Sequence, residues 1–130
     1  MKTASKTIVV LYVEDDELTR QSVSNRLARN GFNVLAAGSG ESALALVENH
    51  PDLAVALLDM QLPGIDGIET FLRLRDRYPA LPVVVCSGYL EPPTLTRLRA
   101  LGIPDECQLR KPCPFRDLLA ALVKVAARRD

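Results

Sequence analysis

The stretch Val55-Ala-Leu-Leu-Asp-Met-Gln-Leu-Pro-Gly-Ile-Asp-Gly67 decides how the chain is read. Four apolar residues run into a single carboxylate, Asp59, and a Leu62-Pro63-Gly64 turn comes next before Asp66-Gly67 opens a helical pattern. An apolar run of that length, bounded by turn signals, reads as a buried strand. Asp59 then stands at its C-terminal tip, the edge at which open α/β sheets bind ligands.

Earlier in the chain, Thr7 to Val13 is β-branched and apolar almost throughout, as in a strand covered on both faces. It runs into Glu14-Asp15-Asp16-Glu17, whose acidic side chains favour the positive end of the next helix, and Asp16 and Glu17 read as its start. Leu18, Val23, Leu27 and Ala28 are the apolar positions of that helix, and Gly31 its C′ residue. Phe32 to Ala37 is a second strand, and Gly38-Ser39-Gly40 turns into a helix over Glu41 to Asn49 with Ala43, Leu44 and Val47 inward. After the strand that ends at Asp59, Asp66 caps a third helix marked by Ile68, Phe71, Leu72 and Arg75 and stopped at Tyr78-Pro79. Pro82 to Cys86 is a fourth strand, Pro93 to Leu101 a fourth helix, and Glu106 to Arg110 a weak fifth strand entering Lys111-Pro112. Phe115, Leu118, Leu119, Leu122 and Val125 trace an amphipathic last helix, with Pro114 suited to its first position.

Five alternations of strand and helix call for a doubly wound, five-stranded parallel sheet with helices on both faces. At 130 residues the chain is read as one domain, with an ordered core over about 7–127. Hydrophobic residues make up 48% and charged residues 25%, a globular balance. Lys+Arg and Asp+Glu both count 16, which argues against a free-standing nucleic-acid binder. No apolar run approaches the ~20 residues of a membrane span. Cys86, Cys107 and Cys113 form no C-x-x-C pair and are expected as reduced thiols of a cytoplasmic protein. The single histidine, His50, is expected at the surface and makes a zinc site implausible.

In such a sheet the strand ends share one edge, and the residues just beyond them are Glu14 and Asp15, Asp59, Ser87 and Lys111. Each alone has a bland explanation as a cap, a turn or a loop residue; their coincidence at one edge does not. Three carboxylates at ~4 Å and an effective dielectric near 20 repel by on the order of 4 kcal/mol per pair. A hard divalent cation relieves that, and oxygen donors suit Mg²⁺ (or Mn²⁺) better than zinc. A carboxylate beside such a cation can attack phosphorus, with Lys111 neutralising charge and Ser87 donating a hydrogen bond to the transferred group.

The chain resembles the receiver domain of two-component response regulators, a flavodoxin-like (βα)5 fold. The residues that carry the resemblance are Val13-Glu-Asp-Asp-Glu17, Leu58-Asp-Met-Gln-Leu-Pro-Gly-Ile-Asp-Gly67, Cys86-Ser-Gly88 and Lys111-Pro112. It implies that Asp59 is the phosphoacceptor, that Asp15 ligates Mg²⁺ directly and that Glu14 acts beside it, commonly through water. The Gln61 backbone carbonyl would be the remaining protein ligand, Ser87 and Lys111 would bind the phosphoryl group, and Lys111-Pro112 would be a cis peptide. The implied phosphodonor is a sensor histidine kinase or a phosphotransfer protein. The implied output surface, for a partner, an attached domain or a homodimer, is the fourth helix, fifth strand and fifth helix. Self-catalysed phosphorylation and dephosphorylation are the only chemistry expected of the chain, which holds no output domain.

Two positions depart from the family pattern. Gln108 stands where a receiver often carries an aromatic three residues before the lysine, and Cys113 replaces the aromatic after Lys-Pro. Tyr89, on the loop after Ser87, is a candidate substitute, and Gln61 and Tyr89 are expected to set the phosphoryl lifetime. Two other readings compete: a degenerate receiver acting as a phosphorylation-independent platform, and a phosphatase-like α/β hydrolase. The second lacks a Walker motif and the second aspartate of haloacid-type phosphatases after Asp59.

Overall fold

The hydrophobic pattern becomes β1 (Ile8–Val13), α1 (Glu17–Arg29), β2 (Phe32–Ala37), α2 (Gly40–Val47) and β3 (Val55–Leu58) in the first half of the chain. The second half forms α3 (Gly67–Arg77), β4 (Val83–Ser87), α4 (Pro92–Ala100), β5 (Gln108–Arg110) and α5 (Phe115–Ala127). This computed structural model describes residues 7–88 and 90–127. The five strands form one parallel sheet in the order β2-β1-β3-β4-β5.

The central strands are buried on both faces, as their unbroken apolar runs require. All four residues of β3 are buried, as are Val9 to Val13 of β1 and Val83 to Val85 of β4. β2, at one edge, exposes Asn33 and Ala36, and β5, at the other, has no buried residue. On one face α1 meets α5, where the Arg26 guanidinium lies 4.2 Å above the Phe115 ring. On the other, α2 and α3 approach so closely that a Cβ at Gly40 would strike the Thr70 hydroxyl and Ile65.

Several expectations shift. Leu18 is 78% exposed rather than part of the α1 stripe. It precedes Val23 by five residues, about 140° round a helix, so it cannot share the face of Val23 and Leu27. In α3 the buried positions are Gly67, Thr70, Phe71 and Leu74, while Leu72 turns to solvent. The stripe is displaced because Gly67 packs directly on the backbone of Met60. The fifth strand is shorter than expected, since the Pro104 carbonyl accepts from Cys107 N at 2.9 Å and winds Asp105–Cys107 into a 3₁₀ turn. β4 extends one residue further than read, because the Ser87 carbonyl still accepts from Lys111 N at 3.0 Å. α2 closes at Val47, and Pro114 precedes α5, its carbonyl taking the first bonds from Asp117 and Leu118. His50 is half-buried, with Nδ1 3.8 Å from Asp52.

Candidate functional site

Sheet register brings the site together. Val13 is paired with Leu58, so Glu14 and Asp59 are the next residues out on neighbouring strands. Leu58 pairs with Val85, and Ser87 with Arg110, which puts Ser87 two residues beyond that level and Lys111 just past the end of β5. Asp59 is held from behind by the approach of α3: a Cβ at Gly67 would meet the Asp59 carbonyl and the Met60 Cα, and Gly67 N donates to the Met60 carbonyl at 3.2 Å. Asp66 caps that helix through Glu69 N at 2.9 Å.

Lys111 is the pivot of the charges. Its ammonium lies 2.5 Å from Glu14 Oε1 and 3.0 Å from Asp59 Oδ2, tying residues 97 positions apart in the chain. Burial alone would lower the Lys111 pKa, but hydrogen bonds and charge from Glu14 and Asp59 outweigh it and raise it to about 12. The other oxygens are also engaged: Glu14 Oε2 accepts from Asp16 N at 3.1 Å, and Asp59 Oδ1 accepts from Gln61 N at 3.0 Å. Glu14, Asp59 and Ser87 are buried while Asp15 and Gln61 are exposed at the mouth. Glu14, Asp59 and Lys111 also line a largely apolar cavity of about 490 Å³ whose walls include Tyr12, Val23 and Leu57, whereas Asp15 and Gln61 line a separate one. Burial, followed by the charges of Glu14, Cys86 and Asp59, raises the Tyr12 phenol, keeping it protonated.

The carboxylates fit a hard cation. One oxygen from each of Glu14, Asp15 and Asp59 falls within 4.8 Å of the other two. Each oxygen already accepting a hydrogen bond keeps a lone pair in reserve, so Lys111 shares the cluster without saturating it. Asp16 is not part of this set: it caps α1, accepting from Thr19 N at 2.9 Å, and that bonding lowers its carboxyl pKa.

The family description "Response regulator receiver domain" matches residues 10–123. The chain belongs to the response regulator receiver domain family. As a receiver it is similar to the response regulator MprA of a Mycobacterium species, 33% identical over 114 residues that cover 87% of this chain and 48% of that protein. It is 37% identical over 98 residues, 75% of the chain and 26% of the relative, to a cyclic di-GMP phosphodiesterase of Thermotoga maritima. The chain therefore spans about a quarter to a half of the length of these curated relatives. In fold it matches the crystal structure of a CheY-like receiver domain protein from Methanospirillum hungatei, with a TM-score of 0.87, 24% identity, and 95% and 96% of the two chains covered.

The receiver site also depends on residues that motif reading passed over. Arg20, on α1, donates to the Glu14 carbonyl at 2.7 Å and packs over Gly38, where a Cβ would sit 3.1 Å from its Nη1. Glu41, on α2, accepts from Ile65 N at 3.0 Å, and its carboxylate fills the space beside Gly64, whose φ of +73° suits glycine. That contact, which lowers the Glu41 pKa, fixes the loop carrying Gln61. The polar i+6 position of Arg20 and the charge two residues after the Ser39 cap were the available signals. Lys111-Pro112 is cis. Gln108 does not face the site; its Nε2 donates to the Ile103 carbonyl at 2.9 Å. Tyr89 lies outside the described residues.

Proposed function

We propose that this receiver accepts a phosphoryl group from a partner phosphohistidine onto Asp59 and uses the modification to shift between two conformations. The observation that carries the reading is the position of the Asp59 carboxylate, buried among Glu14, Asp15 and the Lys111 ammonium at the carboxyl edge of a parallel sheet. An Asp59 oxygen attacks phosphorus, the P–N bond breaks, and the donor imidazole departs with its electron pair. Lys111 balances charge on the acceptor side, and Ser87 offers a hydroxyl to the transferred group. Glu14, Asp15, Asp59 and the Gln61 carbonyl would hold Mg²⁺ or Mn²⁺, which supplies neutralisation of the phosphoryl oxygens. Gln61, beside the acceptor, and Tyr89, after Ser87, would tune hydrolysis of the aspartyl phosphate; unchanged dephosphorylation in both Gln61→Ala and Tyr89→Ala would remove that role.

The proposed donors are a sensor histidine kinase or a phosphotransfer protein, and the chain is one receiver domain over 1–130. Output runs through α4, β5 and α5 to a partner, an attached domain or a second copy. No helix among the described residues is long and apolar enough to cross a membrane. We place the chain in the cytoplasm, the compartment that keeps thiols such as Cys86, Cys107 and Cys113 reduced. Incubation with acetyl phosphate and Mg²⁺, followed by intact mass, tests the chemistry. A labile phosphoryl adduct in the wild type, lost in Asp59→Asn, is expected. An unmodified wild type would instead favour a platform that signals without phosphorylation.

A further inference from the structure

We propose that Cys86 and Cys113 form an oxidisable thiol pair that closes to a disulfide with a hydroperoxide as oxidant, clamping Lys111 against the end of β4. The coupling to phosphoryl acceptance rests on the role given to Asp59 above; formation of the disulfide does not.

Cys86 directly precedes Ser87, and Cys113 follows Lys111-Pro112. Both line the cavity that also contains Asp59 and Lys111, where each thiol bears on the other's protonation, and Cys113 Sγ donates to the Pro114 carbonyl at 3.5 Å. The backbones that carry them are already joined, since Lys111 N donates to the Ser87 carbonyl at 3.0 Å and a Cβ at Gly88 would sit 3.9 Å from Lys111 Cβ. An S–S bond of about 2.05 Å would then join the end of β4 to the turn just beyond β5, two segments already held together by that backbone bond. Cys107 is separate: it is buried in a second cavity beside Leu81 and Pro104. Cys86 and Cys113 are both partly exposed, so a small oxidant reaches the pair. Burial raises both thiols, Cys86 to about 12, so both rest protonated.

The chemistry balances in two steps. The Cys113 sulfur attacks one peroxide oxygen, the O–O bond breaks, and the leaving hydroxide takes the thiol proton as water, leaving a sulfenic acid. The Cys86 sulfur then attacks that sulfur; the S–O bond breaks and a second water departs with the Cys86 proton. The thiols lose two electrons and the peroxide is reduced to two waters. The product staples the end of β4 to the turn after β5, so Ser87 and Lys111 lose the freedom to rearrange around a phosphoryl group.

The test treats the full chain with hydrogen peroxide, followed by intact mass and peptide mapping. Loss of two hydrogens mapped to Cys86–Cys113, reversed by dithiothreitol and absent from both Cys86→Ser and Cys113→Ser, is expected. A bond to Cys107, or only sulfinic acid at Cys113, overturns the pair; Cys86→Ala, checked for folding by circular dichroism, serves if a serine variant does not fold. The second arm measures binding of beryllium trifluoride, a stable phosphoryl mimic, with Mg²⁺ by ¹⁹F NMR. Oxidised protein should bind about fivefold or more weakly than reduced protein. Equal affinity overturns the coupling. A reduced protein that binds none overturns the role of Asp59 and leaves the disulfide result standing.

Discussion

The two halves of the sheet edge are built differently. On the β1–β3 side, Glu14 and Asp59 end strands buried on both faces, with Arg20, Glu41 and Gly67 holding their loops from three helices. On the β4–β5 side, Lys111 ends a three-residue edge strand without a buried residue, and both departures from the family pattern, Gln108 and Cys113, fall there. A central strand is constrained by two neighbours and two helical layers, whereas an edge strand has one neighbour and tolerates substitution. The acceptor chemistry proposed for Asp59 would thus sit on the doubly covered centre and the proposed readout on the edge strand, with Lys111 as the link.

Asp59→Asn tests the centre most severely. Phosphoryl transfer should vanish, read as loss of the labile adduct by intact mass. In the metal-free protein the same change removes one of three clustered carboxylates, while Lys111 keeps Glu14 as a partner. Because Lys111 already offsets part of the repulsion, the gain is on the order of 1 kcal/mol, or roughly 3–5 °C in melting temperature. A fall in melting temperature would mean that Asp59 is wanted for its bond to Lys111 more than it is resented by its neighbours.

Cutting the link comes next. Lys111→Met should slow acceptance from acetyl phosphate by about 10²–10³-fold. Its side chain is 33% exposed, so the stability loss is discounted by solvent to about 1–2 kcal/mol. The Lys111 pKa is raised in the folded state, so its stabilisation is fully present below the unfolded value of 10.5 and is lost as pH rises through about 12. Urea melts of the two proteins should differ by a constant amount from neutral pH up to 10.5 and converge as pH passes about 12. A gap that persists there would assign the Lys111 effect to its stem.

Smaller effects separate the halves further. Gly67→Ala forces a methyl into the Met60 backbone and should cost about 1–3 kcal/mol in denaturant melts, with slower acceptance because Asp59 moves with it. Gln108→Ala loses the bond to the Ile103 carbonyl, about 1 kcal/mol, and should leave the acceptance rate within about twofold, since no step of the transfer touches it. Were Gln108→Ala to slow acceptance as much as Gly67→Ala, the division between centre and margin would collapse.

Much of the centre was legible in the chain itself. The run Val55–Leu58 ending at Asp59, the acidic residues after Val13, and Lys111-Pro112 each follow a strand, so the alternation of elements alone carries them to one edge. Local apolar faces were less legible: Leu18 and Leu72 sit near the helical repeat but off the stripe that packing selects. The direct pairing of Glu14 with Lys111 was not legible, because nothing in the spacing says which carboxylate the ammonium will prefer. Nor was the hold of Arg110 on the Leu90 carbonyl at 2.6 Å, which ties the margin strand to the loop before α4.

Periodicity and turn chemistry, which act over a few residues, were enough to set the order of strands and helices, the edge on which the carboxylates gather, and the residue types available there. Folding in three dimensions added the rest: Lys111 bridges Glu14 and Asp59, Arg20 and Glu41 brace their loops, and Cys86 and Cys113 line one cavity. Such contacts join residues far apart in the chain, and their geometry is set by strand register and helix packing, which no local pattern encodes.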